Sequence, residues 1–190
     1  MKKLKKVALL LTMAFLILVV PMSPAGANTI HPWGTESNYE RFMEHLINAH
    51  SAILTRNAFN ERNLVCLAQN IYHEARGERL LGQIAVVNVT LNRAQRRENI
   101  CTEVFRRGQF SWTSRGHRMP SGEVWDRSLV LAWIALYDRE ILLDVTYNSR
   151  YFHSGRSVPR DFRTFTRTVT IGNHQFYRNP REIVEVAEAQ

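Results

Sequence analysis

Glu74 and Glu78 stand four residues apart in Tyr72-His73-Glu74-Ala75-Arg76-Gly77-Glu78, with Arg76 between them. On a continuous helix that spacing puts both carboxyls on one face. Leu67, Ile71, Glu74 and Glu78 step by four, three and four, so the acids extend the edge of an apolar stripe. An unpaired carboxylate is not expected there. Partial loss of water raises the pKa of a carboxylic acid, as a general acid working near neutrality needs. Arg76 could keep one of the two ionised, and two acids with separated pKa values form an acid/base pair. The same spacing also describes an amphipathic helix ending in a Glu–Arg network. On spacing alone, that structural reading leads.

Other chemistries fit less well. His73-Glu74 opens like the zinc motif HExxH, but position 77 is Gly, so the second ligand on that helix is missing. His153 and His174 could join His73 only from distant parts of the chain. No metal site and no cofactor is therefore expected. No GxSxG elbow marks a serine nucleophile.

The elements that must position the two acids follow from periodicity. Residues 36–57 have helical spacing, with Phe42, Leu46, Ala49 and Ile53 on one face. Asn60 or Asn63 could cap the next helix, whose stripe is Leu64, Leu67, Ala68, Ile71 and Ala75. Gly77 or Gly82 is a plausible break. Residues 83–97 are apolar on nearly every side and read as a buried helix, in which Asn88 and Asn92 need hydrogen-bond partners. Residues 108–122 read as a loop, and 123–143 as another helix carrying Trp125 and Trp133 into the core. Thr164 to Ile171 alternates, with Thr on one side and Phe165, Arg167, Val169 and Ile171 on the other, which is a strand signal. Gly172-Asn173 fits a hairpin turn. The outline is a helical body with a small C-terminal β element, an α+β layout.

Lys2, Lys3, Lys5 and Lys6 precede the apolar run Val7 to Val20, and Ala25-Gly26-Ala27 follows. This is the pattern of a secretory signal peptide over residues 1–27, with an uncleaved anchor as the other reading. Its apolar run is shorter than the roughly 20 residues of a spanning helix. Residues 28–59 then form a leader and helix, 60–180 one domain and 181–190 a tail. All four lysines fall in the signal, so the rest carries 21 arginines against 17 carboxylates. A mild positive field suits an anionic polymer. No long basic run favours nucleic acid, and the membrane is met only through the signal. In an oxidising compartment an even cysteine count invites a Cys66–Cys101 bridge, the alternative being two buried thiols.

An ordered series of motifs carries further. Ile71 to Glu78 (IYHEARGE) is followed by Gly82-Gln83-Ile84-Ala85-Val86, Asn92-Arg93 and Gly108-Gln109-Phe110-Ser111-Trp112. Tyr151-Phe152-His153 and Ile171 to Tyr177 (IGNHQFY) complete the set. Together they resemble the cell-wall hydrolases of SleB and CwlJ type, the spore-cortex-lytic enzymes and their relatives. The resemblance implies a lysozyme-like α+β fold, a peptidoglycan substrate, and Glu74 as the acid catalyst with Glu78 in support; export is expected from the signal peptide, and a monomer is expected. It implies a lytic transglycosylase that cuts between N-acetylmuramic acid and N-acetylglucosamine without adding water. A muramidase, an amidase or a non-catalytic wall-binding module are the rivals. Arg76, Gln109, Phe110, Trp112, Tyr151, His153 and His174 are the expected substrate contacts. For the aromatic and histidine residues among these, core or structural roles stand as the alternative. No separate wall-binding module is expected beside the domain, so a spore-germination role is not carried over, and a housekeeping wall enzyme or a phage-encoded lysin fits equally well.

Overall fold

The stripe Leu64, Leu67, Ala68, Ile71 and Ala75 is wholly buried and makes α2 (Arg62–Ala75) the helix around which the others pack. The computed structural model describes residues 35–54, 61–95, 99–116 and 118–181. The expected signal peptide, the leader as far as residue 34, Asn60 and the tail beyond Arg181 lie outside those residues. Among the described residues, no helix is long and apolar enough to cross a membrane.

Around α2 pack α3 (Leu80–Ala94), α4 (Ile100–Val104) and α5 (Glu123–Tyr137), while α1 (Glu36–Leu54) lies against α3 and α5. Helix α3 is buried on most of its circumference, as its apolar run requires. The face that α1 turns inward is Tyr39, Met43 and Ile47, with Phe42 and Leu46 beside it; Ala49 is exposed. The inward face is thus centred one residue away from the expected line. Tyr39 decides this, because its hydroxyl donates to Ile141 O at 3.2 Å and accepts from Leu143 N at 2.9 Å. Burial pushes that phenol's pKa up to about 12.

Cys66 and Cys101 are bridged, with Cα atoms 5.2 Å apart, which ties α2 to α4. Asn63 lies inside α2 and does not cap it. Its Oδ1 accepts from Cys101 N at 3.1 Å, so it serves the first turn of α4. Asn88 and Asn92 are both structural: Asn88 Oδ1 accepts from Val145 N, and Asn92 Nδ2 donates to Asp144 and to Ser149 O. Helix α5 stops at Tyr137, short of the expected 143, and a 3-10 turn at Arg139–Ile141 follows. Trp125 is in the core; Trp133 is partly buried and stacks on His50 and Tyr137.

A three-stranded antiparallel sheet closes the fold, with β3 (His174–Arg178) between β1 (Tyr151–Ser154) and β2 (Thr166–Ile171). Phe176, its partners Phe152 and Val169, and the pair Ile171 and His174 face the helices. A bulge between Arg167 and Val169 shifts the register. Arg167 therefore pairs with Tyr177 on the outer face, and does not share a side with Val169 and Ile171 as strict alternation predicts. An extra residue in one strand reverses the side-chain parity beyond it.

Candidate active site

Helix α2 ends at Ala75, one residue beyond Glu74, and the chain turns through Arg76 and Gly77 before α3 begins at Leu80. The two acids therefore do not share a continuous helical face. Their surroundings differ as a result.

Glu74 is partly buried at the end of α2. No hydrogen bond or ion pair closes on its carboxyl among the described residues. Burial pushes its pKa above the ordinary carboxylate value, and the positive charge of Arg93 works against that rise. A carboxyl in this state holds its proton at higher pH and has lone pairs and a proton to offer an incoming group.

Glu78 is clamped. Its Oε1 accepts from Asn173 Nδ2 at 2.9 Å and its Oε2 from Asn173 N at 3.2 Å, at the β2–β3 turn. His174 Nδ1 lies 3.8 Å from Oε1. Two glycines make room for it. A Cβ at Gly172 would fall 1.9 Å from Glu78 Oε2, and Gly172 also has φ +57°. A Cβ at Gly82 would fall 2.8 Å from Glu78 Cβ. Burial lowers the pKa of His174, while Glu78 raises it. Glu78 thus pins the sheet to the turn that follows Glu74.

Arg93, at the end of α3, carries a second charge into the region. Its Nε donates to Arg150 O, just ahead of β1. The guanidinium lies over Phe110 at 5.1 Å and over Tyr151 at 5.6 Å from the ring centroids. Burial lowers its pKa, opposed by Glu103, Tyr151 and Glu74. A guanidinium keeps its proton in proteins, so this is a fixed cation in electrostatic reach of Glu74. The sequence offered Arg93 only as part of a motif. The signal that could have found it is an arginine at the end of a helix otherwise apolar on nearly every side, since such a residue needs a specific reason to be there.

One helical turn before Glu74 on α2, a buried chain of bonds runs through Asn70. Trp112 Nε1 donates to Asn70 Oδ1 at 3.0 Å, Asn70 Nδ2 donates to Thr90 Oγ1 at 2.9 Å, and Thr90 donates to Val86 O at 2.9 Å. His73 stacks on Trp112 with centroids 4.4 Å apart. Trp112 and Phe110 are only 8% and 3% exposed, so they support the region from within the core. Gln109 is partly buried beside Phe110. Arg76 is exposed, with its guanidinium over Tyr72.

Tyr151 and His153 lie on the outer face of the sheet, away from His174, which is buried on the inner face. His153 Nε2 is 3.1 Å from Tyr177 OH, which donates to Gln175 Oε1 at 3.2 Å. Arg93 and Phe110 thus meet β1 at Tyr151 and Phe152, Glu74 is within electrostatic reach of Arg93, and His174 joins Glu78. Among the described residues, no cluster of His, Cys, Asp or Glu could hold a metal ion.

Comparison with known proteins bears on the family and the fold. Residues 77–177 match the cell wall hydrolase family. That stretch opens at Gly77, so Glu74 lies just ahead of it. Two solved structures resemble the chain. One is the catalytic domain of the germination-specific lytic transglycosylase SleB from Bacillus anthracis, 24% identical with TM-score 0.50, covering 64% of this chain and 98% of that one. The other is the catalytic domain of the Bacillus cereus SleB protein, 26% identical with TM-score 0.48, covering 62% and 91%. The first likeness is one of fold. No curated protein matches the chain.

Proposed function

Since the chain belongs to the cell wall hydrolase family, and so is a peptidoglycan-cleaving enzyme, we propose that it cuts the glycan strand as a lytic transglycosylase, with Glu74 as acid and then base. The observation that carries this reading is the state of Glu74: a partly buried carboxyl whose pKa is raised by burial and which no group among the described residues satisfies. Glu74 donates its proton to the glycosidic oxygen as the C1–O bond between N-acetylmuramic acid and N-acetylglucosamine breaks. The resulting carboxylate takes the proton of the muramic O6 hydroxyl while that oxygen attacks C1. The product is a 1,6-anhydro sugar, no water is consumed, and Glu74 ends protonated. One carboxyl suffices, so the two-carboxylate geometry of hydrolysing glycosidases is not needed.

Arg93 stabilises the carboxylate formed between the two steps by Coulombic attraction. Glu78 supports the site by holding the hairpin. Arg76 and Gln109 reach substrate from the helical side and Tyr151 and His153 from the sheet, while Phe110, Trp112 and His174 act from beneath. Transglycosylation is favoured over water attack by the likeness of fold to a lytic transglycosylase.

Mass spectrometry of digested sacculi tests the reading. Anhydro-muramic ends are expected. Reducing ends would make the enzyme a muramidase, and free stem peptides an amidase. Undigested sacculi that retain the protein would make it a binding module. Glu74→Gln is expected to abolish clearing; full activity in that variant would remove Glu74 from the mechanism.

A further inference from the structure

Ion pairs and arginines are distributed unequally over the molecule. In the helical body Arg79 pairs with Glu40, Arg127 with Glu44 and Arg106 with Glu103, each within 2.8 Å. Residues 150–181 contain seven arginines and one carboxylate, Asp161. Among the described residues, Arg156, Arg160 and Arg163 make no ion pair and are exposed. Among the described residues, the side chain of the neighbouring Arg167 donates to the neutral Gln175 Oε1, at 3.5 Å. Uncompensated like charge concentrated on one segment is an unfavourable arrangement for the isolated protein and a favourable one for an anionic partner.

Arg160 and Arg163 sit in the same 3-10 turn as Phe162, and Arg156 lies in the segment between β1 and that turn, so these arginines flank the residues of an aromatic floor along the chain. The 3-10 turn Arg160–Thr164 folds over the outer face of the sheet and lays Phe162 against Tyr151, His153 and Tyr177. Phe165 stacks on Phe162 at 5.2 Å and meets Tyr151 at 4.7 Å. Phe162, Phe165, Tyr151 and His153 all keep part of their surface in solvent. The floor continues to the candidate active site, because Tyr151 is also the ring over which Arg93 lies.

We propose that the outer face of the sheet is a docking surface for the peptide stems that branch from the glycan, their carboxylates held by Arg156, Arg160 and Arg163 and their apolar parts laid on Phe162 and Phe165. This rests on the reading of the chain as a glycan-cleaving enzyme. The occupant must present carboxylates beside apolar groups, and it must hang from the strand that reaches Glu74. A stem peptide does both. The planar guanidinium fork matches a carboxylate in two-point contact. A phosphate-bearing wall polymer would satisfy the arginines but offers little to the aromatic floor.

Binding is measured with Glu74→Gln in place, so that cleavage does not consume the ligand. The probes are soluble glycan chains bearing their stems and the same chains stripped of stems by an amidase. Stem-bearing chains are expected to bind at least ten-fold tighter, and that preference should weaken with added salt. In the variant with Arg156→Gln, Arg160→Gln and Arg163→Gln the preference should vanish, with the melting temperature unchanged. Equal affinity for both chains would overturn the proposal. So would a preference that survives the triple substitution, or retention on sacculi that is lost when phosphate polymers alone are removed. Failure of the native enzyme to release anhydro ends would count against the transglycosylase reading without moving the binding result.

Discussion

The end of α2 and the turn that follows it carry the same residue type four positions apart, and the fold treats the two oppositely. At the end of α2, Glu74 is partly buried, with no partner on its carboxyl among the described residues and a fixed cation in electrostatic reach. In the turn, Glu78 spends both oxygens on Asn173 and has two glycines shaped around it. A carboxyl that can move a proton must not be satisfied by the protein, because every hydrogen bond to its ionised form lowers its pKa and costs energy to break. A carboxyl that holds two segments together must be. Under the proposed mechanism, the pair separates the acid left free to react from the one that builds the site around it.

The contrast should be largest in activity. Glu74→Gln is expected to reduce glycan cleavage by about a thousand-fold, within the range of general acid–base catalysis, with no loss of thermal stability. A variant that melts early would show that Glu74 is structural after all. Next in size is the anchor at the other end of α2. The Cys66–Cys101 bridge spans 35 residues, and replacing both cysteines by Ser should lower stability by about 4 kcal/mol in the chain-entropy model. Denaturant melts measure this, and an unchanged midpoint would remove the bridge from the account of what fixes α2.

Gly172→Ala drives a methyl group into Glu78 Oε2 at a positive φ, and should cost about 2 kcal/mol of stability. Glu78→Ala in the same background should recover part of that loss, since it removes the group being struck. If the double variant is as unstable as the sum of the singles, the clamp is misassigned.

The pH dependence follows the sign of the Glu74 shift. In its proposed role as general acid, Glu74 must be protonated, so kcat/KM is expected to fall as pH rises through its folded pKa, which burial raises above the ordinary carboxylate value. Arg93→Gln removes the charge that lowers that pKa and should move the limb to higher pH, while Arg93→Lys should leave it close to the native position. A downward move in Arg93→Gln would reverse the assigned electrostatics. The same shift destabilises the native fold as pH rises above the unfolded value near 4.5, because the folded state holds the proton more tightly. Glu74→Gln should therefore gain stability relative to the native enzyme as pH rises through that window. This is the smallest effect, read as a difference between two melting curves.

Much of this was legible in the residue order. The stripe of α2 and the all-round burial of α3 follow from spacing, because a helix repeats its neighbours every three or four residues. The hairpin at Gly172-Asn173 was legible from its turn residues. The even cysteine count pointed to the bridge that the structure contains. The inward face of α1 was misjudged by one residue, because the side chain that fixes it, Tyr39, bonds to Ile141 and Leu143 about a hundred positions away. The bulge in β2 was hidden by a clean alternation of residue types, since register depends on the partner strand.

The sequence fixes that two acids flank an arginine beside an apolar stripe, that a β element closes the chain, and that arginine gathers between residues 150 and 181. These are local properties of composition and period. Which acid stays unsatisfied is not local. It depends on a helix that stops at Ala75, on Asn173 arriving 95 positions later to occupy Glu78, and on Arg93 being packed between Phe110 and Tyr151 where its charge reaches Glu74. Desolvation and long-range pairing set a carboxyl's chemistry, and both exist only once the chain has packed.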